Sequence, residues 1–135
     1  MELFPGPSRP TSTGNPDYFT GTVLQVVIVD APEPARISAL RVSFAPGART
    51  AWHTHPLGQT LHVLDGIGRV QEEGGPLREI RAGDTVWIPP GAKHWHGAAP
   101  DHAMTHIALQ ERLDGERVDW MEKVSDAVYL ASPEA

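Results

Sequence analysis

Thirteen glycines and thirteen prolines lie scattered among apolar segments instead of gathering into a low-complexity tract, and they cut regular structure into short pieces. Such punctuation favours many short strands joined by tight turns. The run Thr22–Val29, TVLQVVIV, is dense in β-branched residues and ends at Asp30-Ala31-Pro32, so it reads as a strand. In Arg36–Ala45 the residues Leu40, Val42 and Phe44 alternate with Ala39, Arg41 and Ser43, and the Leu40/Val42/Phe44 face is expected to point inward. Further strands are expected at Thr50–His55, Thr60–Leu64, Ile67–Glu72, Leu77–Ile80, Thr85–Ile88, His94–Gly97 and Met104–Glu111. Between them, Asp65-Gly66 has the chemistry of a tight hairpin, Gly74-Gly75-Pro76 of a looser one, and Pro90-Gly91 suits a type II turn. These turns are expected to join antiparallel neighbours. Ser125 is a candidate N-cap for one short C-terminal helix over Asp126–Leu130. Eight or more short strands without alternating helices predict an all-β fold, a sandwich or closed barrel of jelly-roll type.

At 135 residues the chain has the size of one domain. The first seventeen residues, rich in Pro, Ser, Thr and Gly, read as an N-terminal arm, either mobile or docked on a neighbouring subunit; residues 18–135 form the single expected domain. Seventeen Asp and Glu against eleven Lys and Arg, with no basic run, remove the electrostatic footprint of a nucleic-acid binder. The start lacks a basic stretch followed by an apolar one, and no apolar run reaches membrane-spanning length, so a soluble, cytoplasmic protein with no membrane partner is expected. The absence of cysteine fits a reducing compartment and excludes thiolate ligands and thiol nucleophiles. A metal ion would have to be held by histidine, carboxylate or amide.

Five of the seven histidines fall into two i,i+2 pairs, His53/His55 and His94/His96, and one further strand position, His106. Residues two apart on a strand project from the same face, roughly 6.6 Å apart, so both imidazoles of a pair can converge on one ion. Gln59 follows the first pair after Pro56-Leu57-Gly58, close enough to return to the same place.

These spacings resemble the two motifs of the cupin superfamily. The first, glycine, five residues, HxH, three or four residues, Glu, six residues, glycine, is matched by Gly47, ARTAW, His53-Thr54-His55, PLG, Gln59, TLHVLD and Gly66, with Gln where the family has Glu. The second is matched by Gly83, DTVWI, Pro89-Pro90-Gly91, AK, His94, WHG and Ala98, with Ala in place of the final Asn. The resemblance implies a cupin jelly-roll barrel with His53, His55, Gln59 and His94 holding one divalent metal ion. Gln59 would hold it directly or stand behind a water. The stretches TAWHTHPLGQT, PGAKHWHGAAP, MTHIALQE and VDWM resemble, more narrowly, the bacterial manganese-dependent (R)-selective hydroxynitrile lyases of the cupin type, in which the Glu-to-Gln exchange is itself the pattern. That resemblance runs from about Tyr18 to Tyr129 and implies Mn(II) as the ion, with Fe(II), Co(II), Ni(II) or Zn(II) as alternatives for an imidazole-rich site. It also implies a cyanohydrin or carbonyl substrate with cyanide, and a homo-oligomer, dimer or tetramer.

Three neutral imidazoles and a neutral amide would leave the full charge of the ion uncompensated, which favours Lewis-acid chemistry over redox cycling. Cyanohydrin cleavage needs a base for the hydroxyl proton. His106 is the first candidate, because its strand face also carries the small Ala108 and the polar Gln110. His96, on the face of His94, is either a second proton-handling group or an orienter of the ligands. Leu40, Val42, Ala108 and Gln110 are expected in the substrate wall. Thr50 is either a donor to substrate or an ordinary strand residue. His62 and His102 read as surface residues, and Trp52 and Trp95 as packing between sheets or subunits. A non-haem iron dioxygenase, or a cupin that binds a small molecule without catalysis, are the competing functions.

Overall fold

The longest element in the computed structural model, which describes residues 1–134, is a single strand of fourteen residues. In chain order the strands are β1 (Thr11–Thr13), β2 (Phe19–Thr20), β3 (Val23–Asp30), β4 (Ile37–Phe44), β5 (Arg49–Thr50), β6 (His53–Thr54), β7 (Gln59–Glu72), β8 (Arg78–Arg81), β9 (Thr85–Ile88), β10 (His94–Ala98), β11 (Met104–Glu111) and β12 (Asp119–Trp120). All pair antiparallel, eight of them along the path β1-β3-β4-β11-β7-β10-β5-β2, with β8 and β9 paired to β7, β6 to β10 and β12 to β6. The path curls into two facing sheets, the jelly-roll barrel expected from the sequence.

β7 belongs to both sheets. Its first half, from Gln59, pairs with β11 and β9; its second half, from Ile67, pairs with β10 and β8. The hairpin expected at Asp65-Gly66 is therefore absent: the strand bends and continues. A register shift opposite Thr105/His106 supplies the bulge, and Gly66, at φ 83°, takes the left-handed conformation that glycine alone adopts freely. A Cβ at Gly66 would stand 1.9 Å from the carbonyl oxygen of Ala103. Gly74-Gly75-Pro76 does close an antiparallel hairpin, between β7 and β8. Pro90-Gly91 instead carries the chain from β9 in the first sheet to β10 in the second, which pair with different halves of β7 and not with each other. The strand expected over Thr50–His55 is split at Ala51-Trp52, where Trp52 N–H bonds to Glu122 instead of to a ladder partner.

Residues of the expected arm are tied to the chain's own sheet: Thr11–Thr13 extend it beyond β3, and Gly6–Ser8 form one 3-10 turn. The helix α1, Asp126–Tyr129, is capped as expected by the Ser125 hydroxyl, which accepts from Val128 N–H. One end of the barrel is filled by Phe19, Val23, Val42, Phe44, Val63, Val70 and Met104. Outside the second sheet, Trp52, Leu77 and Trp95 pack against Val124 and Tyr129 of the C-terminal segment, so these tryptophans join a sheet to its own tail. No helix among the described residues is long and apolar enough to cross a membrane.

Candidate metal centre and cavity

Strand register assembles the site. His53 on β6 and His94 on β10 stand directly opposite each other, and the period of two puts His96 on the same face as His94. Their rings form a connected group: His53 to His94 4.2 Å between centroids, His53 to His55 5.0 Å, His55 to His94 5.6 Å, His94 to His96 5.8 Å and His96 to His106 4.8 Å. Nitrogens of His53, His94 and His96 lie within 4.8 Å of one another. All five histidines are buried.

The hydrogen bonds assign the ring nitrogens. Nδ1 of His53 faces the carbonyl of Ala51 at 2.8 Å, Nδ1 of His55 that of Arg117 at 2.6 Å, and Nδ1 of His94 that of Ala92 at 3.0 Å. A carbonyl only accepts, so each Nδ1 carries the hydrogen and each Nε2 presents a lone pair. Nε2 of His55 is buried without a partner. Nε2 of His94 lies 3.1 Å from Oε1 of Gln59, another acceptor. Two lone pairs pointed at each other in a buried site repel, and a cation between them removes the repulsion. Backbone carbonyls behind each imidazole are also the usual device for orienting metal ligands.

Burial holds these rings neutral. Desolvation is the largest cause in every case, pushing His53 and His96 well below the ordinary 6.5, His55 below it, and His94 and His106 down to about 4. Neighbouring imidazoles lower His53 and His96 further, whereas carbonyls partly offset the shift at His53, His55 and His94. A neutral donor set needs no deprotonation before it takes up a cation. The residues present thus fit a divalent ion.

Beside this centre is a cavity of about 90 Å³, lined among others by Leu40, Val42, Thr50, His53, His55, Gln59, His96, Ala108 and Gln110. Every residue expected in the substrate wall lies on it. His106 is fully buried behind the wall, with its Nε2 2.9 Å from Nδ1 of His96. Of the two, His96 meets the cavity and His106 stands behind it. Thr50 Oγ accepts from the backbone N–H of His96 at 3.2 Å, which leaves its own hydrogen available to the cavity. His62 bonds to Thr85 on the outside, and His102 is exposed in its loop.

Phe19, Gln25, Arg117, Val118 and Trp120 also line the cavity, and sequence reasoning missed them. Trp120 stacks on Tyr18 at 4.8 Å and lies 4.7 Å from the ring of His53. The aromatics at Phe19 and Trp120 were a visible signal, but nothing local said that the two ends of the chain meet over the site.

Residues 40–108 match the cupin domain family. Across 129 residues the chain is 57% identical to (R)-mandelonitrile lyase of Granulicella tundricola, covering 96% of this chain and 98% of that protein. Among solved structures, a cupin-like protein from Thermotoga maritima superposes with a TM-score of 0.84 at 42% identity, over 87% of this chain and 90% of that one. The polyketide cyclase RemF from Streptomyces resistomycificus shares the fold, with a TM-score of 0.74 at 19% identity over 96% and 90% of the two chains. The chain belongs to the cupin family, in the same family as the Granulicella lyase.

Proposed function

We propose that the protein is a metal-dependent hydroxynitrile lyase, cleaving a cyanohydrin to an aldehyde or ketone and hydrogen cyanide and catalysing the reverse addition. The observation that carries this reading is the near end-to-end likeness to a mandelonitrile lyase, in a chain whose cavity places the unpartnered Nε2 of a neutral His96 beside a neutral donor set.

His53, His55, Gln59 and His94 would hold one divalent ion, with Mn(II) the expected occupant and Fe(II), Co(II), Ni(II) or Zn(II) compatible with the same donors. His55 is preferred to His96 as the third histidine, although the nitrogens of His96 lie nearer the other two. The Nδ1 of His55 faces a carbonyl, which fixes its unpartnered Nε2 as a lone pair, whereas the Nδ1 of His96 faces another imidazole, which imposes no tautomer. When bound, such an ion supplies Lewis acidity toward an oxygen of the substrate.

The chain's own residues provide the rest. Nε2 of His96, buried and unpartnered, takes the hydroxyl proton as the carbon–carbon bond opens and cyanide leaves with the bonding electrons. His106, hydrogen-bonded behind it, holds the ring in place, the shared hydrogen lying on Nδ1 of His96 in this reading, and His96 then returns the proton to cyanide. The Thr50 hydroxyl can donate to the departing nitrogen. Leu40, Val42, Phe19 and Trp120 exclude water and receive the organic group. We further infer that the chain works as a homo-oligomer, supported by the exposed apolar residues on the outer face of the first sheet.

Cyanide release from racemic mandelonitrile by Mn(II)-loaded protein, measured against a chelator-stripped sample, tests the reading. Metal-dependent release above spontaneous decomposition is expected. Its absence, with oxygen uptake on Fe(II) loading instead, would replace the lyase by a dioxygenase.

A further inference from the structure

Ser38 on β4, Gln110 on β11 and Gln59 on β7 stand directly opposite one another, forming one rung across three strands of the first sheet. All three are buried, at 2%, 6% and 4% exposure. The rung has a direction. The backbone carbonyl of Ser38 can only accept, and Nε2 of Gln110 lies 3.3 Å from it and 2.8 Å from the Ser38 hydroxyl oxygen. The amide nitrogen of Gln110 must therefore face β4, which turns its Oε1 toward β7. There it accepts from Nε2 of Gln59 at 3.1 Å. With its nitrogen so engaged, Gln59 can present only its oxygen to His94.

The direction matters because the opposite orientation is the favourable one in isolation. His94 Nδ1–H is committed to Ala92, so Nε2 offers a lone pair. A freely turning Gln59 amide would place its NH₂ there and form an ordinary hydrogen bond. That flip would withdraw the amide oxygen and at the same time occupy the lone pair of His94, removing two ligand atoms together.

We propose that Ser38 and Gln110 are positioning residues that lock the amide of Gln59 with its oxygen toward the metal centre. The inference rests on the reading of Gln59 as a metal ligand. It gives Gln110 a function besides lining the cavity, and it gives Ser38 one where the sequence showed only a strand residue.

The test is the affinity of the full-length protein for Mn(II), by competition with a chromophoric chelator, with circular dichroism confirming that each variant is folded. Gln110→Leu is expected to weaken binding about 10- to 100-fold, the range for residues that orient metal ligands, and Ser38→Ala by about 10-fold at most. Ser38→Thr, which keeps the hydroxyl, should restore binding. The decisive comparison repeats Ser38→Ala in a Gln59→Glu background, because a carboxylate has no wrong way round. There the loss should shrink to within about twofold. An equal loss in both backgrounds would mark Ser38 as merely structural and overturn the proposal, as would unchanged affinity in Gln110→Leu and Ser38→Ala while Gln59→Ala binds weakly. Unchanged affinity in Gln59→Ala would instead remove Gln59 from the ligand set, and the positioning role with it. If Gln110→Leu does not fold, the Ser38 variants in the two backgrounds decide the question.

Discussion

His53 and His62 lie nine positions apart in one motif region, yet the strand faces they occupy give them opposite chemistry. His53 is buried with one nitrogen tied to a carbonyl, and His62 sits outside against Thr85. His53→Ala is accordingly expected to lose most bound metal after dialysis, while His62→Ala retains the wild-type content. Elemental analysis of the two variants decides this, and equal retention would remove His53 from the site. The five buried imidazoles also set a pH dependence. Each is held neutral in the folded chain below the ordinary 6.5, His94 and His106 down to about 4, so on acidification the unfolded chain binds protons that the folded chain refuses. Their contribution to stability is fully present above about pH 6.5 and is lost progressively toward pH 4, by about 1.4 kcal/mol for each unit of separation at each group. Melting temperatures of chelator-treated protein should fall steadily between about pH 7 and pH 5, before the ordinary carboxylate range is reached. A flat profile across that interval would mean that the histidines titrate normally.

At the scale of elements, the histidine pairs were legible because their spacing equals the period of a strand, a local property. The turns were legible only in part. Asp65-Gly66 and Gly74-Gly75 carry similar turn chemistry, but only the second reverses the chain; whether a positive-φ glycine closes a hairpin or bends a strand is decided by what pairs beyond it. Here β11 and β10 hold the two halves of β7 in different sheets. The rung of Ser38, Gln110 and Gln59 was equally hidden, since it depends on the register of three strands far apart in sequence. Gly66 and Gly47 separate conformational strain from packing. Both have nearly the same φ, 83° and 82°, but a Cβ at Gly47 meets nothing within 4 Å whereas one at Gly66 collides with Ala103. Gly47→Ala should cost about 1–2 kcal/mol for the left-handed backbone alone. Gly66→Ala should cost about 3 kcal/mol or more, because the bend itself must shift. Urea denaturation of both would check the difference, and equal costs would show that the bend tolerates a side chain.

At the scale of the whole molecule the two outer sheet faces are unequal. The second sheet is covered by the chain's own tail: Arg49 bonds to the carbonyl of Val124 and to Asp126, Arg69 to the carbonyls of Tyr129 and Ala131, and Lys93 pairs with Glu122. These contacts close Trp52 and Trp95 under Val124 and Tyr129, and the same stretch of chain brings Trp120 to the cavity. The first sheet turns Leu24 and Val26 outward on β3 and Ile107 and Leu109 outward on β11, with Ala39, Arg41 and Ser43 of β4 between them, and Leu24, Ile37 and Leu64 remain 43%, 38% and 44% exposed. Apolar side chains grouped across β3, β4, β11 and β7 form a surface of the kind that water disfavours and a second copy can cover. Two chains are therefore expected to pack through this face. Sedimentation should give at least twice the monomer mass at micromolar concentration. Ile107→Glu, at the middle of the face and on the side of its strand opposite His106, should yield monomers with an unchanged circular dichroism spectrum. A wild-type monomer, or an Ile107→Glu protein that still associates, would place the subunit contact elsewhere or remove it.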